Sequence, residues 1–234
     1  FYRRFGEEAP TPKEILDIVA CHETGAEFFQ GDNLPPLLEK RLENLHEAAT
    51  VLIEDFDGDP GKIIYRAAYR VLARELNPPG IVDFLVKYFP KSFGSDWYRQ
   101  DLIFNKRAQL WPLVYQGRAL NSGGMIPDLF DPENIGPIAD YQVPNALRSL
   151  GILEYSDIVG HAIDAQVKLA SGNVFEIEIR MATVYAVSEL LDLVNQILVS
   201  KGKLPVTMVE LDYFLWSEGR KSKYLPHLCE TTDY

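Results

Sequence analysis

The sequence predicts an all-α fold, mainly helical with at most a short extended segment. Apolar residues recur at three- and four-residue spacing in segment after segment. Proline- and glycine-rich breakers separate those segments. Only one short run alternates with the period of two that a half-buried strand shows. The 234 residues are 47% hydrophobic and 12% aromatic, enough to build a core. They are expected to form one helical domain, or two helical subdomains of about 1–100 and 101–234 meeting at a cleft.

Thr11-Pro12-Lys13-Glu14 starts the first helix: threonine caps, proline suits the first turn, and glutamate completes a capping box. That helix is expected to run to about His22. Pro35 and Pro36 open an amphipathic helix to about Glu54, with Leu38, Leu42, Leu45, Ala49 and Leu52 at helical spacing. The stretch from Asp55 to Gly61 breaks it. Its three aspartates do not make a calcium loop, because the glycine is misplaced and the closing glutamate absent. Helices are expected at about 61–76 and 80–88, with a loop from Pro90 to Asp96. A helix from about Asp101 to Tyr115 should end or kink at Pro112, which lacks an amide and clashes with the preceding turn. Residues 121–137, rich in Gly, Pro, Asn and Asp, read as an irregular loop of the length that is usually functional or mobile. Helices return at about 142–150 and 154–169. Phe175, Ile177 and Ile179 then alternate with Glu176, Glu178 and Arg180, which fits a short extended entry or the first turn of the next helix. Val187, Leu190, Leu191, Val194, Ile197 and Leu198 mark that helix, and a last one is expected at about 204–218.

The net charge is −11, with 34 acids against 23 bases. Gripping a long polyanion requires clustered Lys and Arg, so duplex DNA or intact tRNA is not the expected partner. A small anionic ligand needs only two or three local cations. No apolar run approaches the ~20 residues that span a bilayer. Phe1-Tyr2-Arg3-Arg4-Phe5 is too short and too quickly charged for a signal peptide. The expectation is a soluble cytoplasmic chain without membrane contact, its cysteines Cys21 and Cys229 held as free thiols.

Several chemistries lack their residues. His22, His46, His161 and His227 show no metal-ligand spacing, so no metal or other cofactor is expected. Ser122-Gly123-Gly124 has no following Gly-Lys-Ser/Thr, and no GxSxG occurs. What remains is a cation in an apolar helix, Lys106, and an acid just ahead of a helix, Asp140. Both have ordinary uses. A lysine there commonly snorkels to solvent, and an aspartate there is commonly an N-cap. Catalysis is the rarer use of either.

At these two residues the sequence becomes familiar. Phe104-Asn105-Lys106-Arg107-Ala108-Gln109 resembles an F-x-K-R-A-Q motif, and Ala139-Asp140-Tyr141 with Val143-Pro144 resembles A-D-Y-R-hydrophobic-P, Gln142 replacing the usual arginine. Leu150-Gly151 with Glu154-Tyr155-Ser156-Asp157 resembles L-G-x-L-x-Y-S. Glu176 to Arg180 resembles E-V-E-I-R, Leu211 to Trp216 resembles L-D-Y-x-L-W, and the tail from Pro226-His227 to Tyr234 resembles the ending of the same family. These motifs, in matching order along essentially the whole chain, are those of the queuosine salvage proteins, also called queuosine 5′-phosphate N-glycosidases. An N-terminal aromatic F-x-F-W-like segment of that family has no counterpart among these residues: either this form is shorter, or the segment, and part of the base pocket with it, lies outside them.

The resemblance implies a helical fold similar to helix–hairpin–helix DNA glycosylases. It implies cleavage of the base–ribose bond of queuosine 5′-phosphate, giving queuine and ribose 5-phosphate. On that reading Asp140 stabilises the cationic sugar and takes a proton from water. Lys106 meets the ribose or the departing charge, or keeps Asp140 ionised. Queuine is a 7-deazaguanine and cannot be protonated at N7, so its departure needs other donors. Asp212, Tyr213 and Trp216 would recognise the base, Asp212 and Trp216 sharing a helix face; Tyr213 and Trp216 serve equally as core. Tyr141 is a further substrate-side candidate. Arg180, His227 and Tyr234 are candidates for the 5′-phosphate, with Arg180 equally suited to pair with Glu176 or Glu178. The rival functions are a DNA glycosylase-like enzyme, which the charge disfavours, and a non-catalytic binding protein for a modified base or nucleotide.

Overall fold

In the computed structural model, which describes residues 11–21, 34–72, 79–98 and 102–233, the protein is mainly helical, with only short strands. It divides into two compact units, 1–95 and 96–234.

The first unit carries α1 (Pro12–Ala20), α2 (Leu38–Phe56), α3 (Gly61–Arg66) and α4 (Ile81–Tyr88). Thr11 caps α1 and Glu14 closes the capping box, as the sequence predicts. His22 lies outside the described residues. α1 packs on α2, which buries Leu42, Ala49 and Phe56 but leaves Leu45 exposed. Phe56 meets Phe89 at 6.1 Å and Tyr88 at 5.4 Å between ring centroids, forming the aromatic centre of this unit. The helix expected at 61–76 stops at Arg66, and Ala68 and Tyr69 turn to φ of 50° and 57°. The reason is an orphan-donor problem at the start of α4. The carbonyls of Arg70 and Val71 leave the helix to accept from the amides of Ile81 and Val82 at 2.8 and 3.0 Å.

The second unit opens with an antiparallel pair, β1 (Trp97–Tyr98) and β2 (Leu102–Ile103), so the segment expected to be helical from Asp101 is partly extended. Next comes α5 (Lys106–Leu120), which runs through Pro112 without ending. The proline is buried within the helix, and packing on both sides offsets the lost hydrogen bond. The 121–137 segment is irregular apart from one 3-10 turn at Pro132–Asn134. Then follow α6 (Gln142–Ser149), α7 (Asp157–Asp164), β3 (Lys168–Ala170), α8 (Val174–Ser200), α9 (Met208–Lys221) and β4 (Leu228–Glu230). α7 falls short of 169 because Gln166 turns to φ 54° and the chain then pairs in parallel, 168–170 with 228–230. Of the two readings left open at 175–180, the helical one holds, with Asn173 capping α8. α9 starts later than 204, because Thr207 and Glu210 form its capping box and Asn195 holds Val206 by hydrogen bonds to its amide and carbonyl.

α8 is long and apolar enough, by length and composition alone, to cross a membrane, contrary to the expectation that no segment is. Its first half is anchored in protein through buried Glu176, Ile177, Ile179, Arg180, Thr183 and Val187. The rest of α8 beyond Arg180, residues 181–200, contains Glu189 and Asp192 near its middle, each costing roughly 3 kcal/mol at a bilayer centre. Ile179 joins Val159, Ile163 and Leu169 in one cluster. Elsewhere α6 lies on α9 so closely that a Cβ on Gly219 would meet the Gln142 carbonyl oxygen at 2.2 Å. Asn145 locks that contact by donating to the carbonyls of Gly219 and Tyr224 at 3.1 and 3.0 Å. Neither Cys21 nor Cys229 forms a disulfide.

Candidate functional site

α5, α9 and the strand-like approach to α6 line a cavity of about 940 Å³. Lys106, Arg118, Ile138, Asp140, Glu210, Asp212, Tyr213 and Trp216 are among the residues on its wall. Five of the residues singled out in the sequence therefore meet in one place.

Asp140 is placed by backbone. Its Oδ1 accepts from the amides of Gln142 and Val143, both at 2.8 Å, so it caps α6 as an acid at that position does. The cap and the cavity wall are one residue: one oxygen anchors, and the carboxyl as a whole faces Lys106. Burial pushes Asp140 above the usual carboxylate range, while the two amides, Lys106 and Arg180 pull it back down. Lys106 occupies the first turn of α5, whose N-cap Asn105 has φ 47° and makes no side-chain cap. Asp96 supplies the cap instead, its Oδ2 accepting from the Lys106 amide at 2.9 Å. Burial lowers the Lys106 pKa, and the charges of Asp140 and Asp212 oppose that.

Asp212 sits one turn into α9 and is 7% exposed. Burial, then the Asp140 charge, pushes its carboxyl up to about 7, against weaker pulls from Lys106 and the Ile138 amide. Its Oδ1 is buried with no hydrogen-bond partner, a costly arrangement for an ionised oxygen. Tyr213 and Trp216 are 70% and 36% exposed. They are wall residues of an open cavity, not core.

Other expected residues lie elsewhere. Tyr141, between Asp140 and the first residue of α6, is exposed and does not line the cavity. Arg180 is buried and spends its guanidinium on Asp96, Glu176 and the Ala139 carbonyl, so the structure does not bring it to the cavity as a phosphate ligand. It pairs with Glu176, as one reading of the sequence has it, and with Asp96, which none foresees. His227 is buried away from the cavity wall, its pKa lowered to about 4 by burial and then by Arg180. Tyr234 lies outside the described residues. Asp96 is the structural partner that sequence reading misses, because nothing local marks an aspartate whose partner is 84 residues away.

Two buried carboxyls, a half-buried lysine and two aromatics thus line one cavity, an arrangement suited to acid–base work on a small polar ligand. The model of the queuosine salvage protein family matches residues 6–231. A protein of Dictyostelium discoideum described as queuosine 5′-phosphate N-glycosylase/hydrolase is 33% identical over 218 residues, covering 90% of this chain and 61% of its own. Proteins of the same description from Sphaerobacter thermophilus and Mus musculus are 31% and 27% identical, each over 84% of this chain and 57% of theirs. The chain belongs to the queuosine salvage protein family. It spans about six-tenths of the length of these curated relatives.

Proposed function

We propose that this chain hydrolyses the N-glycosidic bond of queuosine 5′-phosphate, releasing queuine and ribose 5-phosphate. The observation that carries the reading is the meeting of Lys106, Asp140 and Asp212 on one cavity, with Asp212 raised to about 7 while Asp140 keeps two backbone amides on its carboxylate. The family and the descriptions of its members supply the substrate.

The two acids divide the work because their surroundings differ. Asp140, whose two backbone amides and the Lys106 charge favour the anion against the burial that raises it, lies against the ribose as C1′ becomes cationic. Water adds to C1′, and its proton passes to the Asp140 carboxylate. The C1′–N bond electrons leave with the base. Asp212, whose carboxyl near 7 is protonated in part of the molecules at neutral pH, gives its proton to the departing 7-deazapurine at its oxygen or a ring nitrogen, since N7 is absent. The acids then re-equilibrate through solvent, and no net proton is gained. Lys106 balances whichever acid is ionised and offers a donor to the sugar. Tyr213 and Trp216 stack on the base. The ligand is a small nucleotide rather than intact nucleic acid, consistent with the net charge of −11. The helix–hairpin–helix glycosylase-like architecture and a cytoplasmic setting belong to the same proposal.

Mass spectrometry of products from queuosine 5′-phosphate tests it. Free queuine and ribose 5-phosphate should appear, and Asp140→Asn should bind substrate yet lose roughly 10³-fold or more in turnover. Intact nucleotide after incubation with wild-type protein would indicate a binder instead. Wild-type release by the asparagine variant would remove Asp140 from the mechanism.

A further inference from the structure

One guanidinium inside the second unit links the segment that carries Asp140 to the one that carries Lys106. Arg180, on α8, is 3% exposed. Its Nη1 and Nη2 donate to Asp96 Oδ1 and Oδ2 at 2.7 and 2.6 Å, and Nη1 also reaches Glu176 Oε1 at 3.3 Å. Nε donates to the Ala139 carbonyl at 3.2 Å, one residue before Asp140. The guanidinium lies 4.0 Å from the ring centroid of Phe104, two residues before Lys106. Asp96 accepts in turn from the Lys106 amide, and its carbonyl accepts from the amides of Phe104 and Asn105 at 3.0 and 3.1 Å. Only a planar fork can serve two carboxylate oxygens, a carbonyl and an aromatic face together.

We propose that Arg180, clamped by Asp96, is a positioning residue that fixes Lys106 and Asp140 relative to each other and takes no part in binding the substrate's phosphate. The inference rests on the hydrolase reading of the cavity. Neither Arg180 nor Asp96 lines that cavity, so their influence passes through the two residues they hold. Displacing a reacting group by about 1 Å can cost on the order of 100-fold in rate. Asp140 faces the charges of Lys106 from α5, Asp212 from α9 and Arg180 from α8. Arg180 itself faces Asp96, Glu176 and His227.

The test uses Arg180→Lys, Arg180→Met and Asp96→Asn in the full chain, with queuosine 5′-phosphate and unphosphorylated queuosine as substrates. The lysine variant and Asp96→Asn should each lower kcat by roughly 10- to 100-fold, equally for both substrates, with KM within about threefold of wild type. Arg180→Met should also move the acidic limb of the kcat profile to higher pH, because Asp140 loses a nearby cation. Arg180→Lys keeps the charge and should leave the limb in place. Circular dichroism shows which variants are folded, and if the methionine variant is not, the other two decide. A loss confined to the phosphorylated substrate, with raised KM and a fully active Asp96→Asn, would make Arg180 a phosphate ligand and overturn the proposal. So would wild-type kcat in both conservative variants, or losses that merely follow the unfolded fraction. If Asp140→Asn is inactive while those variants are unaffected, only the positioning role fails. If Asp140→Asn is also fully active, Asp140 leaves the mechanism; if wild-type protein returns the nucleotide intact, the hydrolase reading itself fails.

Discussion

Replacing Asp212 by asparagine removes a titrating proton from the interior while keeping the side chain's shape. The folded protein raises this carboxyl from 3.8 to about 7, and a shift of roughly three units corresponds to about 4 kcal/mol of proton-linked free energy. The folded state binds the proton more tightly than the unfolded chain. Between about pH 4 and pH 7 the unfolded chain therefore carries fewer protons, and stability falls as pH rises. Below that window both states are protonated, and above it both are ionised. Asp212→Asn should thus gain on wild type by up to about 4 kcal/mol as pH rises through the window, the difference then staying level. Urea denaturation of both proteins at about pH 4.5, 6, 7 and 8, followed by tryptophan fluorescence, measures it. A stability difference that stays constant across those conditions would show that Asp212 does not hold an elevated pKa, and the proposed proton donor would be lost.

Gly219→Ala should destabilise the protein by on the order of 3 kcal/mol, because the new Cβ would meet the Gln142 carbonyl oxygen at 2.2 Å and neither backbone can retreat. Gly117→Ala, whose Cβ meets only Val209 Cγ1 at 3.5 Å, is the matched control and should be neutral or better in the same urea titration. Trp216→Ala should raise KM roughly tenfold or more with a smaller effect on kcat, as removal of a base-stacking face does; an unchanged KM in steady-state kinetics would return Trp216 to a packing role.

Much of this architecture is legible in local chemistry. The Thr11–Glu14 capping box, the stripe of α2 and the irregular 121–137 segment need only near neighbours to be recognised. Asp212 and Trp216 share a face because α-helical geometry puts them there. The misreadings have a common cause in long-range partners. The 61–76 helix breaks because the amides at the start of α4 need carbonyls. The 154–169 helix breaks because the tail offers a strand to pair with. Arg180 looks like a phosphate ligand until Asp96 is seen beside it. Pro112 is a different case, in which a correct local penalty is outweighed by burial of the helix around it.

That two aspartates on one cavity should do different work follows from backbone placement more than from side-chain identity. Asp140 lies at the entry to α6, where two amides point at its oxygen and favour the anion. Asp212 lies one turn inside α9, where its own helix amides are already committed, and its Oδ1 finds no donor. Burial raises both carboxyls, Asp212 to about 7, and the charge of Lys106 pulls both back down. In the proposed reaction Asp140 would face the cationic sugar and Asp212, in its protonated form, the departing base. Adding a second carboxylate charge would mean ionising Asp212 against Asp140 in a buried wall, which is why the pair is expected to titrate as a unit rather than as two independent groups.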